Sequence, residues 1–397
     1  MKVTLLYSKY ISDPTGASAV MRYLKESMVL FRNKGINMNY FTRDTIIPKK
    51  ENQNEHIDTS IGAKGMIMKF LKRFSKTNSI CALLHLYIRS GRAAKVLVKR
   101  YLSQSTNDDI VFIHEIDTCY YYLKYIKNQG DVKVILVSHG KGDLYGMTRL
   151  NYPCLCSGLL SRYLYKREKY VLSHIDRLGF VSQTSMENFK NENSAFDQSK
   201  LFYNLNGIPD IDIIKKEKDC NVFNIACVGT VNERKGQRFI IEALAGIPIS
   251  QREKIHINII GDGELKNELE EYCLEKSINQ YVTFWGSRKD VSALLQCNDI
   301  FILPSLDEGL PIAILEAMRQ GLPIVSTMVG GIPEMIEEGV NGVFIKPSTE
   351  EVKSVLMNLD HYDWEKMGRN SRCIFLNKFS LESMVTGYSK VFKSIYS

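Results

Sequence analysis

At 397 residues the chain is longer than one hydrophobic core usually supports, so two domains of roughly 150–200 residues are expected. A hydrophobic share of 44% with 24% charged residues is that of an ordinary soluble globular protein. No run reaches the roughly 20 apolar residues that span a bilayer, and nine scattered cysteines without CxxC or Cys/His spacing argue against a zinc site.

In chain order, "MKVTLLYSKYISD" opens with a short apolar run and no cleavage site. It reads as a first strand rather than a signal peptide, and the thiols as reduced and cytosolic. The loop after it, "DPTGAS", carries Gly16 into a helix. A basic stretch follows. Between Asp58 and Asp108 there is no acidic residue, while Lys64, Lys69, Lys72, Arg73, Lys76, Arg89, Arg92, Lys95, Lys99 and Arg100 fall in that window. Within it, "KGMIMKFLKRFSK" mixes apolar and basic residues at helical spacing, as interfacial helices do, although a solvated basic face has the same pattern. A second basic cluster lies at Arg162, Lys166, Arg167 and Lys169. Much of the net charge of +8 therefore sits in the first half.

Nearly continuous apolar runs recur: "IVFIHE", "VKVILVSHG" and "RLGFVS" in the first half, then "FNIACVG", "IHINIIGDG", "YVTFWG", "DIFILPS" and "GLPIVST" in the second. Such runs are strands of a parallel sheet covered on both faces, and the helical patterns between them imply two doubly wound α/β domains. The boundary is expected near "NLNGIPDIDIIKKEKDCN", residues 204–221, where turn residues and a charged run precede a fresh strand. That gives a first domain over 1–205 and a second over 206–379, with a helix at about 380–397 packing back on the first. Ligands of open α/β sheets bind beyond the carboxyl ends of the strands, and two such domains facing each other would form a cleft.

The second half is richest in strand-end loops. In "PSLDEGLPIAILEAMRQGLP", a buried strand ends at Pro304, a loop follows, Pro311 starts a helix and Gly321 ends it. Glu308, Gly309 and Leu310 then stand at a helix entrance, where free N–H groups attract anions. Glu316 lies about 7–8 Å further along the helix axis at 1.5 Å per residue. Two carboxylates so spaced could each hold a diol on either side of a diphosphate, which describes a nucleotide sugar. In "VGTVNERKGQ", Gly229 closes a strand, and Arg234 and Lys235 stand at a helix start. Cations there oppose the helix dipole by roughly 0.3–1 kcal/mol each, a cost that a bound polyanion would offset. "GDGEL" with Gly261 and Asp262, and "WGSRKDV" with Arg288, are further loops of this half. His139 in "SHGKG" and His114 in "FIHEID" close two strands of the first half, where a structural role is the commoner reading for a lone histidine.

Other classes fit less well. A dinucleotide-dependent oxidoreductase would want GxGxxG after the first strand, which "YSKYISDPTGAS" lacks. A basic nucleic-acid- or membrane-binding protein would leave the glutamate motif unexplained, and no aromatic–basic interleaving of a known nucleic-acid module is present. An epimerase-like relative acting on nucleotide sugars without an acceptor is the nearer rival.

Taken together, "EGLPIAILEA", "ERKG", "GDGEL", "FWGSRKDV" and "GGIPEMI" resemble, in order and spacing, the motifs of retaining glycosyltransferases of family 4. "PTGASAVMRYL", "VSHG", "VSQTSMENF" and "YNLNGI" extend the resemblance to the first half. It implies the GT-B fold, two facing Rossmann-like domains with an interdomain cleft, the first binding the acceptor. It also implies transfer of a sugar from a nucleotide diphosphate sugar, a UDP-sugar being favoured, to an acceptor hydroxyl. Configuration would be retained, with no metal and no cofactor. By resemblance, Glu308 matches the glutamate near the donor sugar and Glu316 the one on the ribose. Gly309 and Leu310 match the amides near the diphosphate, Lys235 the diphosphate lysine, His139 the histidine beside the sugar, and Gly16 the first-domain glycine. Thr230 stands where many members have arginine, so Arg234 is the substitute. The implied setting is cytoplasmic, peripheral on the inner membrane face, with a lipid-linked or surface-polysaccharide acceptor and no nucleic-acid partner.

Overall fold

The computed structural model describes all residues except 14, 47–62, 105–106, 127–129, 158–159, 214–221 and 397. Pro14, the side chain of Lys64 and the charged run 214–221, all used above, lie outside the described residues. The chain divides into two compact units, Met1–Asn204 with Val385–Ser397, and Leu205–Met384. The division falls one residue before the expected boundary on the first pass, and at 384 rather than 379 on the return.

The first unit holds β1 (Lys2–Tyr7), β2 (Asn37–Thr42), β3 (Ile110–Ile113), β4 (Lys133–Ser138), β5 (Arg177–Phe180) and β6 (Leu201–Tyr203) in one sheet of order β2-β1-β3-β4-β5-β6. Every pairing is parallel. The central strands are buried along most of their length, for instance Ile110–Ile113 and Val134–Val137, because helices cover both faces of a parallel sheet. The last helix, Leu381–Tyr396, seals this unit. Tyr388 and Phe392 pack on Phe112 with ring centroids 5.0 and 5.1 Å away, and Phe392 lies 6.1 Å from Phe31.

The second unit holds β7 (Phe223–Val228), β8 (Ile255–Ile260), β9 (Val282–Gly286), β10 (Ile300–Leu303), β11 (Ile324–Thr327) and β12 (Gly342–Ile345), in the order β12-β11-β10-β7-β8-β9. These pairings are parallel as well. Each unit is thus a doubly wound α/β layer structure, as the alternation of strands and helices implies.

The order of strands fixes where each unit can bind. In the second unit the chain winds β7-β8-β9 to one side, then returns to β10 and winds β11-β12 to the other. The reversal lies between β7 and β10, and connections leave it in opposite directions beyond the carboxyl ends of those two strands. In the first unit the corresponding reversal lies between β1 and β3.

Arg167, one of the second basic cluster in the sequence, is buried. Its guanidinium pairs with Asp117 at 3.1 Å and stacks over Tyr120, 4.0 Å from the ring centroid. Helical periodicity puts it on the inner stripe of Ser161–His174 together with Leu164 and Val171.

Candidate functional site

The loops after β7 and β10 meet at the reversal point of the second unit. After Val228 the backbone turns at Gly229 (φ +152°), and Asn232 caps a 3₁₀ turn, Glu233–Lys235, by accepting the Lys235 N–H at its side chain, 3.1 Å away. Arg234 and Lys235 therefore precede the helix, which begins at Gln237. Gly236 between them has φ +72°, and a Cβ there would stand 2.2 Å from the Pro304 carbonyl. Only glycine lets the two loops touch at this point. The Leu306 N–H then donates to the Arg234 carbonyl at 2.8 Å, tying the loops together.

Glu308 occupies the junction and is buried. Its Oε1 accepts from Lys235 Nζ at 2.6 Å and from Ser305 Oγ at 2.7 Å, and its Oε2 faces the Arg234 guanidinium at 3.3 Å. Arg234 also donates to the Asp307 carbonyl at 2.5 Å. Burial alone would raise the Glu308 pKa. The charges of Lys235 and Arg234, with the hydrogen bonds from Lys235 and Ser305, outweigh it and hold the carboxyl below its usual range. Two cations and one carboxylate leave one net positive charge at the carboxyl end of the sheet.

Beyond Glu308, Gly309 and the buried Leu310 lead to Pro311 and the helix Ile312–Arg319. A third loop supports them. Gly330 has φ +57°, and a Cβ on it would lie 1.8 Å from the Glu308 carbonyl, while the Gly331 N–H donates to the Gly309 carbonyl at 2.6 Å. Thr327 Oγ1 donates to the Ser305 carbonyl at 2.7 Å. The sequence reading used "GGIPEMI" only as a motif, but its glycines are what fix the backbone under Glu308. Glu316 sits half-buried on the same helix.

The remaining residues fall in different surroundings. Gly229 lies against the stem of Lys235, its hypothetical Cβ 3.3 Å from Lys235 Cε. Gly261 packs backbone on backbone, with a Cβ there only 1.9 Å from the Gly229 carbonyl. Both glycines thus shape the loop that carries Lys235. Asp262 is exposed and accepts from the Gly263 N–H at 2.8 Å. Arg288 forms a two-pronged pair with Asp290, 2.7 and 2.8 Å, on the rim beside Trp285.

In the first unit, Gly16 starts the helix Gly16–Glu26 behind the Thr15 cap. His139 follows β4 and lies half-buried, its Nε2 2.8 Å from Nδ1 of the buried His114 at the end of β3. Burial, aided by the charge of Lys9, pushes the His139 pKa down to about 4, and burial beside His139 pushes His114 well below its ordinary value. The reversal point of this unit is taken by its own carboxylate. Glu115 Oε2 accepts from the Ser8 N–H at 2.6 Å and from Thr118 Oγ1 at 3.0 Å, and Lys9 lies 3.6 Å from Oε1. The two units therefore differ in charge at equivalent places: two cations on one carboxylate in the second, a carboxylate balanced by Lys9 in the first. No group of three or more metal-ligating side chains occurs among the described residues.

Residues 222–359 match the family described as glycosyl transferases group 1. Among solved structures, Anabaena HepE in complex with UDP superposes with a TM-score of 0.69 at 17% identity, covering 99% of this chain and 100% of that one. The fold is GT-B, and the group 1 glycosyl transferase match lies within the second unit. An uncharacterised glycosyltransferase of Methanocaldococcus jannaschii is 28% identical over 176 residues, 43% of this chain and 44% of that protein. The UDP-Gal:alpha-D-GlcNAc-diphosphoundecaprenol alpha-1,3-galactosyltransferase of Escherichia coli is 31% identical over 130 residues, 32% of this chain and 34% of that protein. The matched stretch thus spans less than half the length of these two curated relatives.

Proposed function

We propose that the chain is a retaining, metal-independent glycosyltransferase that moves a sugar from a UDP-sugar to a hydroxyl of a lipid-linked or surface-polysaccharide intermediate. The observation that carries this reading is the convergence of Arg234, Lys235 and Glu308 at the reversal point of the second unit, beside a helix start. A departing diphosphate needs fixed positive charge near oxygens that become more negative, and these cations and helix amides supply it. In the free chain Glu308 holds both cations. A bound diphosphate takes over their charge, which releases carboxylate oxygens toward sugar hydroxyls. Glu316 serves the ribose. The acceptor belongs to the first unit, and its proton leaves with the departing phosphate.

The relatives support the donor and acceptor classes by what they themselves are named for: a UDP complex for HepE, and a UDP-galactose donor with a diphosphoundecaprenol-linked acceptor for the E. coli enzyme. A lipid-linked acceptor also accounts for the face built by the helices Ala63–Phe74 and Ser79–Leu86. Met66, Ile67, Phe70, Phe74, Ile80 and Leu84 are all exposed there, among exposed Lys69, Lys72, Arg73 and Lys76. We assign this face to an anionic membrane surface. No helix among the described residues is long and apolar enough to cross a membrane.

The test is isothermal titration of UDP, GDP and ADP, then of the matching sugar nucleotides in EDTA. UDP binds, and Glu316→Ala weakens it by about tenfold or more, the worth of one charged hydrogen bond at about 1.5–3 kcal/mol. In turnover, Lys235→Ala lowers kcat far more than donor affinity, and equal losses would refute the leaving-group role. Sugar-nucleotide conversion without any acceptor would point instead to an epimerase-like activity.

A further inference from the structure

The pair His114–His139 is a device that the proposed reaction leaves unexplained. Each ring is neutral at physiological pH, so each carries one proton on one of two nitrogens. The 2.8 Å contact between His114 Nδ1 and His139 Nε2 needs one proton between them. Either His114 donates from Nδ1 or His139 donates from Nε2, and that choice fixes the proton at both outer nitrogens.

The outer nitrogen of His114 decides between them. Its Nε2 is buried and has no hydrogen-bond partner. Around that ring stand Phe112, edge-to-face with centroids 4.4 Å apart, and Tyr388 at 6.3 Å. If His139 were the donor, His114 would carry its proton on Nε2 and bury an orphan N–H among aromatic rings. Orphan buried N–H groups are rarer than under-satisfied acceptors. The alternative leaves only a bare lone pair there.

We infer that His114 is a positioning residue that holds its proton on Nδ1, donates to His139 Nε2, and so fixes His139 as an Nδ1–H donor. His139 sits after the carboxyl end of β4, where open α/β sheets bind ligands, and forms no other hydrogen bond among the described residues. Its free N–H recognises an oxygen acceptor, a sugar hydroxyl or a phosphate oxygen. Its one lone pair is already used by His114, so it has no basic nitrogen to offer an acceptor hydroxyl. A proton acceptor for the transfer must then come from elsewhere, which agrees with loss of the proton to the departing phosphate. This deepens the proposed function and rests on it for its meaning. The tautomer itself is tested without any substrate.

The experiment is two-bond ¹H–¹⁵N correlation spectroscopy of histidine-labelled full-length protein near pH 7, with His114 and His139 assigned through single His→Gln variants. Both rings are expected as Nδ1–H tautomers. His114→Asn places an amide N–H where Nδ1–H was, and keeps His139 in that form. His114→Leu removes the donor, and His139 shifts to the Nε2–H tautomer that imidazole favours in water. Thermal unfolding of both variants separates this effect from loss of fold. Finding His139 as Nε2–H in the wild type, or unchanged in a folded His114→Leu protein, would overturn the inference. Failure of UDP to bind would refute the donor reading and leave the tautomer result standing.

Discussion

At the scale of single residues both units hold buried groups in their deprotonated forms, neutral imidazoles in the first and a carboxylate in the second. His114 and His139 are held neutral by burial, and His139 has its pKa pushed down to about 4 from 6.5. Unfolded chains take up these protons below about pH 6.5 while the folded chain does not, so stability falls as pH drops from 6.5 toward 4. Glu308 has a lowered pKa, and its contribution is present above 4.5 and lost as pH falls further. Urea midpoints measured across pH 4–7 should decline toward acid, and His139→Gln should flatten the upper part of that slope while leaving the decline below pH 4.5. An unchanged upper slope would mean that His139 ionises freely in the folded chain. Glu308, Lys235 and Arg234 were legible as a trio from strand-loop-helix patterns and resemblance. Their mutual pairing was not, because nothing in a linear spacing says that Oε1 and Oε2 of Glu308 each take a different cation.

At the scale of elements, the strands that sequence reading missed share one property. β2, β6 and β12 are all sheet edges; "NMNYFT" is half-polar and "LFY" only three residues long, while "GVFI" is apolar and mostly buried but follows directly on the turn residues "EEGVN". A central parallel strand is buried on both faces and reads as a continuous apolar run, but the edge strands β2 and β6 are not and give no such signal. The basic amphipathic segment was legible, since "KGMIMKFLKRFSK" states its own pattern. Its second wall, Ile80 and Leu84 on Ser79–Leu86, came only with the fold. Vesicles rich in anionic phospholipid should sediment the protein and neutral vesicles should not. Changing Lys69, Lys72, Arg73 and Lys76 to Gln should weaken binding by about fivefold per charge, from about 1 kcal/mol each. Phe70→Ser with Phe74→Ser should reduce it further without changing UDP affinity. Binding that ignores lipid charge would exclude this face as the membrane contact.

At the scale of the whole molecule, two doubly wound sheets were expected from the alternation of strands and helices, and both are present. What the alternation cannot reveal is how the two units differ at their reversal points, because both have one of the same topology. The difference lies in side chains: Glu115 seated on the Ser8 N–H beside Lys9 in one unit, and Arg234 and Lys235 on Glu308 in the other. The first unit is also built from distant parts of the chain, 1–204 and 385–397. A chain truncated after residue 379 lacks Tyr388 and Phe392 and exposes Phe31 and Phe112. It should aggregate or melt at least several degrees lower. Residues 205–384 expressed alone should remain folded and bind UDP, and failure of that fragment to fold would show that the units depend on each other.

That last helix also sets an order in time. During synthesis the second unit is complete while the first still lacks one wall of its core, and the ribosome adds about 5–20 residues per second. For that interval the apolar surface around Phe31 and Phe112 waits for its cover. The half of the chain made first is therefore the half that finishes last, and slow or interrupted synthesis of residues 385–397 would leave it, rather than the second unit, open to misassembly.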